Sequence, residues 1–127
     1  MTASNQTARS RPSATAAGDR VFEVADTVTT PGIEQTIIAY TVPAGFSVNF
    51  LRVDIATQFE GDWIIYHEAD IVGAGRTGPA RPSPSGIEWV PYESVVAGDT
   101  FEVKFTQDSY RPATEIKAFL QGRKLPV

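Results

Sequence analysis

The chain has 127 residues, a formal net charge of −4, 42% apolar residues and no cysteine. This length and composition suit one folded domain with one core, and exclude disulfides, zinc–thiolate sites and cysteine nucleophiles. No apolar run approaches the roughly 20 residues that cross a bilayer, and we expect neither membrane association nor a secretory signal.

Residues 1–19 are predicted to form a flexible, basic N-terminal arm. Up to Gly18 the chain has no acid, no aromatic residue and no Val, Ile or Leu. Such a segment cannot bury enough apolar surface to offset its ordering entropy. The first 20 residues hold three arginines and one aspartate, a charge of +3 − 1 = +2, so the other 107 residues carry −6. This asymmetry indicates a binding partner for the arm.

Residues 20–127 are predicted to form a β domain. Apolar and polar residues alternate with a period of two, and turn signals such as Pro31-Gly32 separate the segments. Pro91 indicates an edge strand or a bulge. The pattern favours an all-β fold, an antiparallel β-sandwich or jelly roll of about seven or eight strands. The segments predicted as strands cover residues 21–30, 33–42, 46–59, 63–69, 87–96, 100–106 and 113–122.

The same alternation predicts which side chains face the core. In two of the segments apolar residues alternate with charged residues, and in the segment 113–122 three apolar residues share one face. The predicted inward residues are Leu51, Val53, Ile55, Phe101, Val103, Phe105, Ile116, Ala118 and Leu120.

Residues 73–86 (GAGRTGPARPSPSG) interrupt the strand pattern and are predicted to form a long loop. The segment holds three prolines and two arginines and has no large apolar residue. A loop of this length in a compact domain is usually functional or mobile. It is no phosphate-binding loop, since it lacks the spacing, the lysine and a following helix.

A single histidine, His67, limits the chemistry available. A metal site or a catalytic triad would need His67 together with groups from other strands, because neighbouring strand residues point to opposite faces. Paired carboxylates could come from Glu60 and Asp62, or from Glu93 and Asp99. We expect His67 to be a solvated or hydrogen-bonded strand residue, and we expect no metal, no cofactor and no catalytic residue.

Trp63, Tyr66, Trp89, Tyr92 and Tyr110 could form a stacking platform for sugars or bases. Trp63 and Tyr66 should point opposite ways on their strand, as should Trp89 and Tyr92, so no single strand builds the platform. Aromatic residues in small β domains are more often core or interface residues. The exposure of Trp63 and Trp89 therefore separates a structural module from a sugar-binding one.

Four arginines are predicted to bind partners. Arg9 and Arg11 lie on the arm, and Arg76 and Arg81 lie in the predicted loop. A guanidinium donates several hydrogen bonds and suits carboxylates of a neighbouring subunit or phosphates. Prolines in the loop lower the entropy lost on docking.

Several short turn signatures together carry a family resemblance. They are Tyr40 to Gly45 (YTVPAG), Trp63 on a strand, Pro91, Val96 to Asp99 (VAGD) before an alternating strand, and Gly122. The segment from residue 33 to residue 124 resembles the small β-sandwich accessory virion proteins of tailed bacteriophages, found on capsids, necks and baseplates. The resemblance implies a non-enzymatic structural role, symmetric assembly as a homotrimer and an N-terminal arm that reaches across neighbouring subunits.

The leading hypothesis is a virion structural protein, a capsid decoration (cement) protein or a neck-collar protein. It would dock on major capsid or neck subunits through its arm and loops, and the negative net charge disfavours nucleic acid as its partner. The alternative is a receptor- or carbohydrate-binding β-sandwich module of a phage fibre or baseplate. A third hypothesis, a cupin-like jelly-roll metal enzyme, would require two or more histidines.

Overall fold

A computed structural model describes residues 18–77 and 85–127 of the chain. Within these ranges the fold is all-β, with eight strands and no helix. The predicted arm lies outside the described residues except for Gly18 and Asp19, as do Arg9, Arg11 and Arg81. The strands are β1 (Asp19–Val28), β2 (Glu34–Thr41), β3 (Phe46–Thr57), β4 (Gly61–His67), β5 (Asp70–Thr77), β6 (Ser85–Val95), β7 (Thr100–Gln107) and β8 (Glu115–Pro126).

The strands form two four-stranded sheets. Sheet I has the order β1-β8-β3-β6 and sheet II has the order β2-β7-β4-β5. Every neighbouring pair is antiparallel. The prediction of an antiparallel all-β sandwich is therefore confirmed. The edge strands are β1 and β6 in sheet I, and β2 and β5 in sheet II, so Pro91 lies in an edge strand as predicted.

The core lies between the sheets and holds most of the predicted inward residues. In β7 and β8 all six of them are fully buried. The rings of Phe50 and Phe101 stack across the core with their centroids 4.2 Å apart. Burying each such side chain contributes roughly 1.5–3 kcal/mol. Leu51 is the exception, because the register of β3 shifts between Phe50 and Arg52 and gives the buried position to Phe50.

The prediction of a loop over residues 73–86 is wrong at both ends. β5 continues to Thr77 and β6 begins at Ser85, and residues 78–84 between them lie outside the described residues. Gly75 does not mark a turn, because it lies within β5 and allows close packing. Gly75 pairs with Trp63 of β4, and a Cβ at Gly75 would lie 2.4 Å from Cζ2 of that indole. The strand therefore carries glycine where the tryptophan ring covers its backbone.

Candidate functional site

A cross-sheet polar cluster at one end of the sandwich contains His67, Glu93 and Asp99. His67 ends β4 on the face that holds the buried Trp63 and Ile65. Its Nδ1 atom lies 3.3 Å from Oε2 of Glu93, which belongs to β6 in the other sheet. Its Nε2 atom lies 2.9 Å from Oδ2 of Asp99, in the turn between β6 and β7. One imidazole therefore joins both sheets and a turn.

The surroundings of His67 favour its charged form. Burial opposes the charge, but the hydrogen bonds and charges of Asp99 and Glu93 outweigh it and raise the pKa of His67 above its ordinary value. A doubly protonated ring donates one hydrogen bond from each nitrogen, and each carboxylate accepts one. Nearby, Oε2 of Glu68 accepts a hydrogen bond of 2.6 Å from the backbone N–H of Thr100, which holds the same end of β7.

This cluster suits a structural role better than a catalytic one. Both nitrogens of His67 are occupied by carboxylates, so neither is free to take a proton from a nucleophile. Glu93 contacts Nδ1 and Asp99 contacts Nε2, so the two carboxylates do not meet at the same ring nitrogen. Among residues 18–77 and 85–127, no group of three or more His, Asp or Glu side chains can hold a metal ion. The prediction of a hydrogen-bonded strand histidine is confirmed.

Arg76 is the one predicted partner-binding residue that lies within the described ranges. It belongs to β5 and not to a loop. Its Nη1 atom donates to Asp62 at 2.8 Å, and its Nη2 atom donates to Asp108 at 2.5 Å. These hydrogen bonds, Asp108 first, raise the pKa of Arg76. The side chain is 43% exposed, so its guanidinium is oriented by two carboxylates of its own chain and still faces solvent.

Arg111 forms a second ion pair in the region of Asp108, and sequence reasoning did not single it out. Its Nε atom donates to Oε1 of Glu60 at 3.1 Å. Its guanidinium lies 5.3 Å from the ring centroid of Phe59 and 5.1 Å from that of Tyr110. A backbone hydrogen bond and then the bond from Arg111 lower the pKa of Glu60. An arginine after a tyrosine in a polar segment is too common a pattern to have identified this site.

The two tryptophans point into the sandwich. Trp63 is 3% exposed and its Nε1 atom donates to Oγ of Ser85 at 3.2 Å. Trp89 is half-buried and its Nε1 atom donates to the carbonyl of Val72 at 3.0 Å. Tyr66 lies on the outer face, with Nζ of Lys104 5.4 Å from its ring centroid. The predicted opposition of Trp63 and Tyr66 is confirmed, and neither tryptophan supplies an exposed sugar platform.

An apolar surface lies along β1, at the edge of sheet I. Phe22, Val24 and Val28 are 43%, 56% and 58% exposed. We call these three residues the β1 apolar face. The Phe22 ring stacks on Phe119 of β8, with centroids 6.1 Å apart. The alternation of β1 could be recognised in the sequence, but its edge position depends on strand order, which the sequence does not give.

An open cleft of about 320 Å³ lies where β3 ends and β8 begins. Its lining has one carboxylate, one lysine and no histidine. The lining residues are Ala56, Thr57, Gln58, Thr114, Glu115 and Lys117.

Comparisons with protein-family models, with curated proteins and with solved structures found no match for this chain. Within the described ranges, no helix has the length and apolar character needed to cross a membrane.

Proposed function

We propose that this chain is a non-enzymatic structural protein of a bacteriophage virion, a capsid decoration (cement) or neck-collar protein. The observation that carries the proposal is the strand order. The order β1-β8-β3-β6 facing β2-β7-β4-β5 is that of an eight-stranded jelly roll. Jelly rolls serve as virus capsid domains, lectins and cupins, so the choice among these classes rests on the sites.

The described side chains support a structural role over the two rival classes. A cupin-like enzyme holds a metal with several histidines, whereas the one histidine here is bonded to two carboxylates. A lectin-like module uses exposed aromatic rings, whereas Trp63 and Trp89 point inward. Within the described residues, the β1 apolar face lies on an edge strand without a second neighbour, the kind of surface that subunit assembly covers.

The proposed docking elements are the N-terminal arm, residues 78–84 and Arg76. Arg9, Arg11 and Arg81 lie outside the described residues and stay predictions. Arg76 presents a partly exposed guanidinium, oriented by two carboxylates, near the end of β5 that leads into residues 78–84. Many weak contacts repeated over a lattice give high avidity without a deep pocket. Assembly as a homotrimer, with an arm that crosses to neighbours, remains the expected form.

The alternative, a receptor- or carbohydrate-binding module of a fibre or baseplate, is favoured by one observation. Tyr110 is 68% exposed, and the stacked guanidinium of Arg111 lies beside it. An exposed ring held by a neighbour can stack on a sugar. Binding to a glycan array that is lost in Tyr110→Ala would support this alternative. Equal signals from both proteins would exclude Tyr110 as a sugar contact.

Reconstitution tests the proposed function. Particles are purified from a host in which the gene for this chain is deleted, mixed with the labelled full-length chain and sedimented through a density gradient. We expect saturable co-sedimentation with the particles. A chain that stays at the top of the gradient at every concentration would contradict the proposal. The protein heated above its unfolding transition and cooled serves as the control for adventitious sticking.

A further inference from the structure

Among the four edge strands, β1 is the one that is best formed for pairing with another strand. β6 contains Pro91, which has no N–H to donate. The registers of β2 with β7 and of β5 with β4 shift at Thr36/Ile38 and at Ile65/Tyr66. Such irregularities twist an edge and discourage pairing. β1 has ten residues and no proline, and it pairs with β8 in unbroken register from Asp19 to Val28.

The outward side of this open edge is apolar in its middle. Phe22 and Val24 occupy alternate positions on the same face of β1 and are both well exposed. A long, flat, apolar edge recruits further strands unless something covers it. The described part of β1 has no proline and no bulge that would discourage pairing, and on this face it has charged side chains only near its ends.

Those charges are self-complementary. Arg20 and Asp26 lie on the same outward face as Phe22 and Val24. Arg20 precedes these two apolar residues and Asp26 follows them. Across β8, Arg20 lies opposite Arg123, and none of the ion pairs formed within the described ranges includes Arg20. Asp26 lies opposite Lys117, and its Oδ2 atom is 3.9 Å from the Nζ atom of that lysine, which is a long distance for an ion pair. A second carboxylate beside Arg20 would therefore relieve a like-charge contact.

We propose that β1 pairs antiparallel with β1 of a second copy of this chain about a two-fold axis at Glu23. In this register Arg20 of each copy lies opposite Asp26 of the other, and Phe22 lies opposite Val24. Two-fold symmetry makes each of these pairs twice. The result is a continuous eight-stranded sheet in which the edge is buried.

The alternative registers lack this match. A two-fold axis perpendicular to the sheet pairs only residues whose side chains lie on the same face. The register can therefore slip only by two residues at a time, which moves the axis by one residue along β1. With the axis at Phe22, Arg20 would lie opposite Val24. With the axis at Val24, Arg20 would lie opposite Val28. Only the axis at Glu23 brings opposite charges together and keeps the apolar pair between them.

The proposed register has one unfavourable feature, which is itself testable. Glu23 lies on the axis, opposite Glu23 of the second copy. Like charges directly opposite each other destabilise a strand pair. Glu23→Gln should therefore strengthen the contact. This contact needs no virion partner. It is also distinct from the three-fold contact of a trimer, so both can occur in one assembly.

Light scattering of the purified full-length chain over a range of concentrations tests the contact. We expect even-numbered species, a dimer or, if trimers form, a hexamer. A monomer or a bare trimer at the highest concentration would overturn the proposal. Circular dichroism of each variant confirms that it is folded. Since the experiment uses this chain alone, its failure leaves the reconstitution with particles unaffected.

A charge swap tests the register. Arg20→Asp and Asp26→Arg should each weaken the two-fold association by about tenfold, since each replaces two attractions by two repulsions. The double variant should return close to the original affinity, and Glu23→Gln should exceed it. Val24→Lys should abolish the contact. Val28 is about as exposed as Val24 but lies at the end of β1, so Val28→Lys should weaken the contact far less. A double variant no tighter than the singles would overturn the register.

Discussion

The Nε2 atom of His67 and the Oδ2 atom of Asp99 lie 2.9 Å apart, which ties the end of β4 in sheet II to the turn that leaves sheet I. Glu93 completes the bridge on the other side of the ring. A protonated imidazole between two carboxylates therefore links the two sheets electrostatically. Its contribution to stability depends on pH.

Stability should fall as the pH rises through the titration of His67. The folded pKa is raised above the unfolded value, so the bridge contributes fully below the ordinary pKa and is lost above the folded pKa. His67→Gln should lower the free energy of unfolding by about 1–3 kcal/mol near pH 5.5 and by much less near pH 9. Urea unfolding of both proteins at the two pH values measures this. An equal loss at both would contradict a charged bridge.

Replacing the buried amide of Gln107 should destabilise the domain strongly. Gln107 is fully buried, donates to the carbonyls of Arg111 at 3.2 Å and Pro112 at 2.7 Å, and accepts from the hydroxyl of Thr29. Gln107→Met keeps the size of the side chain but leaves these groups unsatisfied, at a cost of about 2–4 kcal/mol. Gln58→Met on the surface is the control, expected within about 0.5 kcal/mol of the original. Equal unfolding curves for the two variants would contradict this role.

A methyl group at Gly75 should disturb the packing of Trp63. The added Cβ would lie 2.4 Å from the indole, so the ring or the strand must move. Gly75→Ala should cost about 1–3 kcal/mol and shift the tryptophan fluorescence. Ala74→Ser, one residue away on the exposed face, should change neither quantity. A Gly75→Ala protein with the original spectrum and stability would show that the strand tolerates a side chain there.

Arg76→Gln should separate folding from docking. Exposed ion pairs contribute about 0–1 kcal/mol, so loss of the bonds to Asp62 and Asp108 should leave the free energy of unfolding nearly unchanged. Co-sedimentation with particles should weaken if Arg76 binds a partner. Arg52→Gln, which removes another exposed ion pair on sheet I, is the matched control. Equal retention of both variants on particles would exclude Arg76 from the docking surface.

Deleting residues 1–18 should leave the fold intact and weaken assembly. The described strands begin at Asp19, and the buried core residues of the described ranges all follow it. Circular dichroism and thermal unfolding should match the full-length chain, while the fraction bound to particles falls. Equal assembly by the truncated protein would exclude the arm from binding.

Local patterns predicted much of the sandwich because alternation records burial directly. Phe101, Val103 and Phe105 are buried as predicted, since β7 lies inside sheet II and one of its faces covers the core. β5 was missed because its core-facing positions are Gly73 and Gly75, so no apolar alternation marks the strand. The packing that requires glycine there comes from Trp63, which is distant in sequence.

The polar cluster could be predicted only in pieces. His67 as a hydrogen-bonded strand residue, and Glu93 with Asp99 as a pair of carboxylates, were each recognisable in the sequence. Their meeting depends on β6 and β4 facing each other across two sheets, and one sequence does not specify that pairing. The open edge of β1 depends on strand order in the same way.

The composition of native particles tests the central claim most directly. Particles banded in a density gradient from cells that encode this sequence are digested with trypsin, and the peptide from residue 53 to residue 76 is quantified against a peptide of the major capsid subunit. A virion structural protein predicts a fixed ratio between the two peptides across fractions and preparations. Absence of the peptide from particles, with recovery in the unassembled fraction, would contradict the claim.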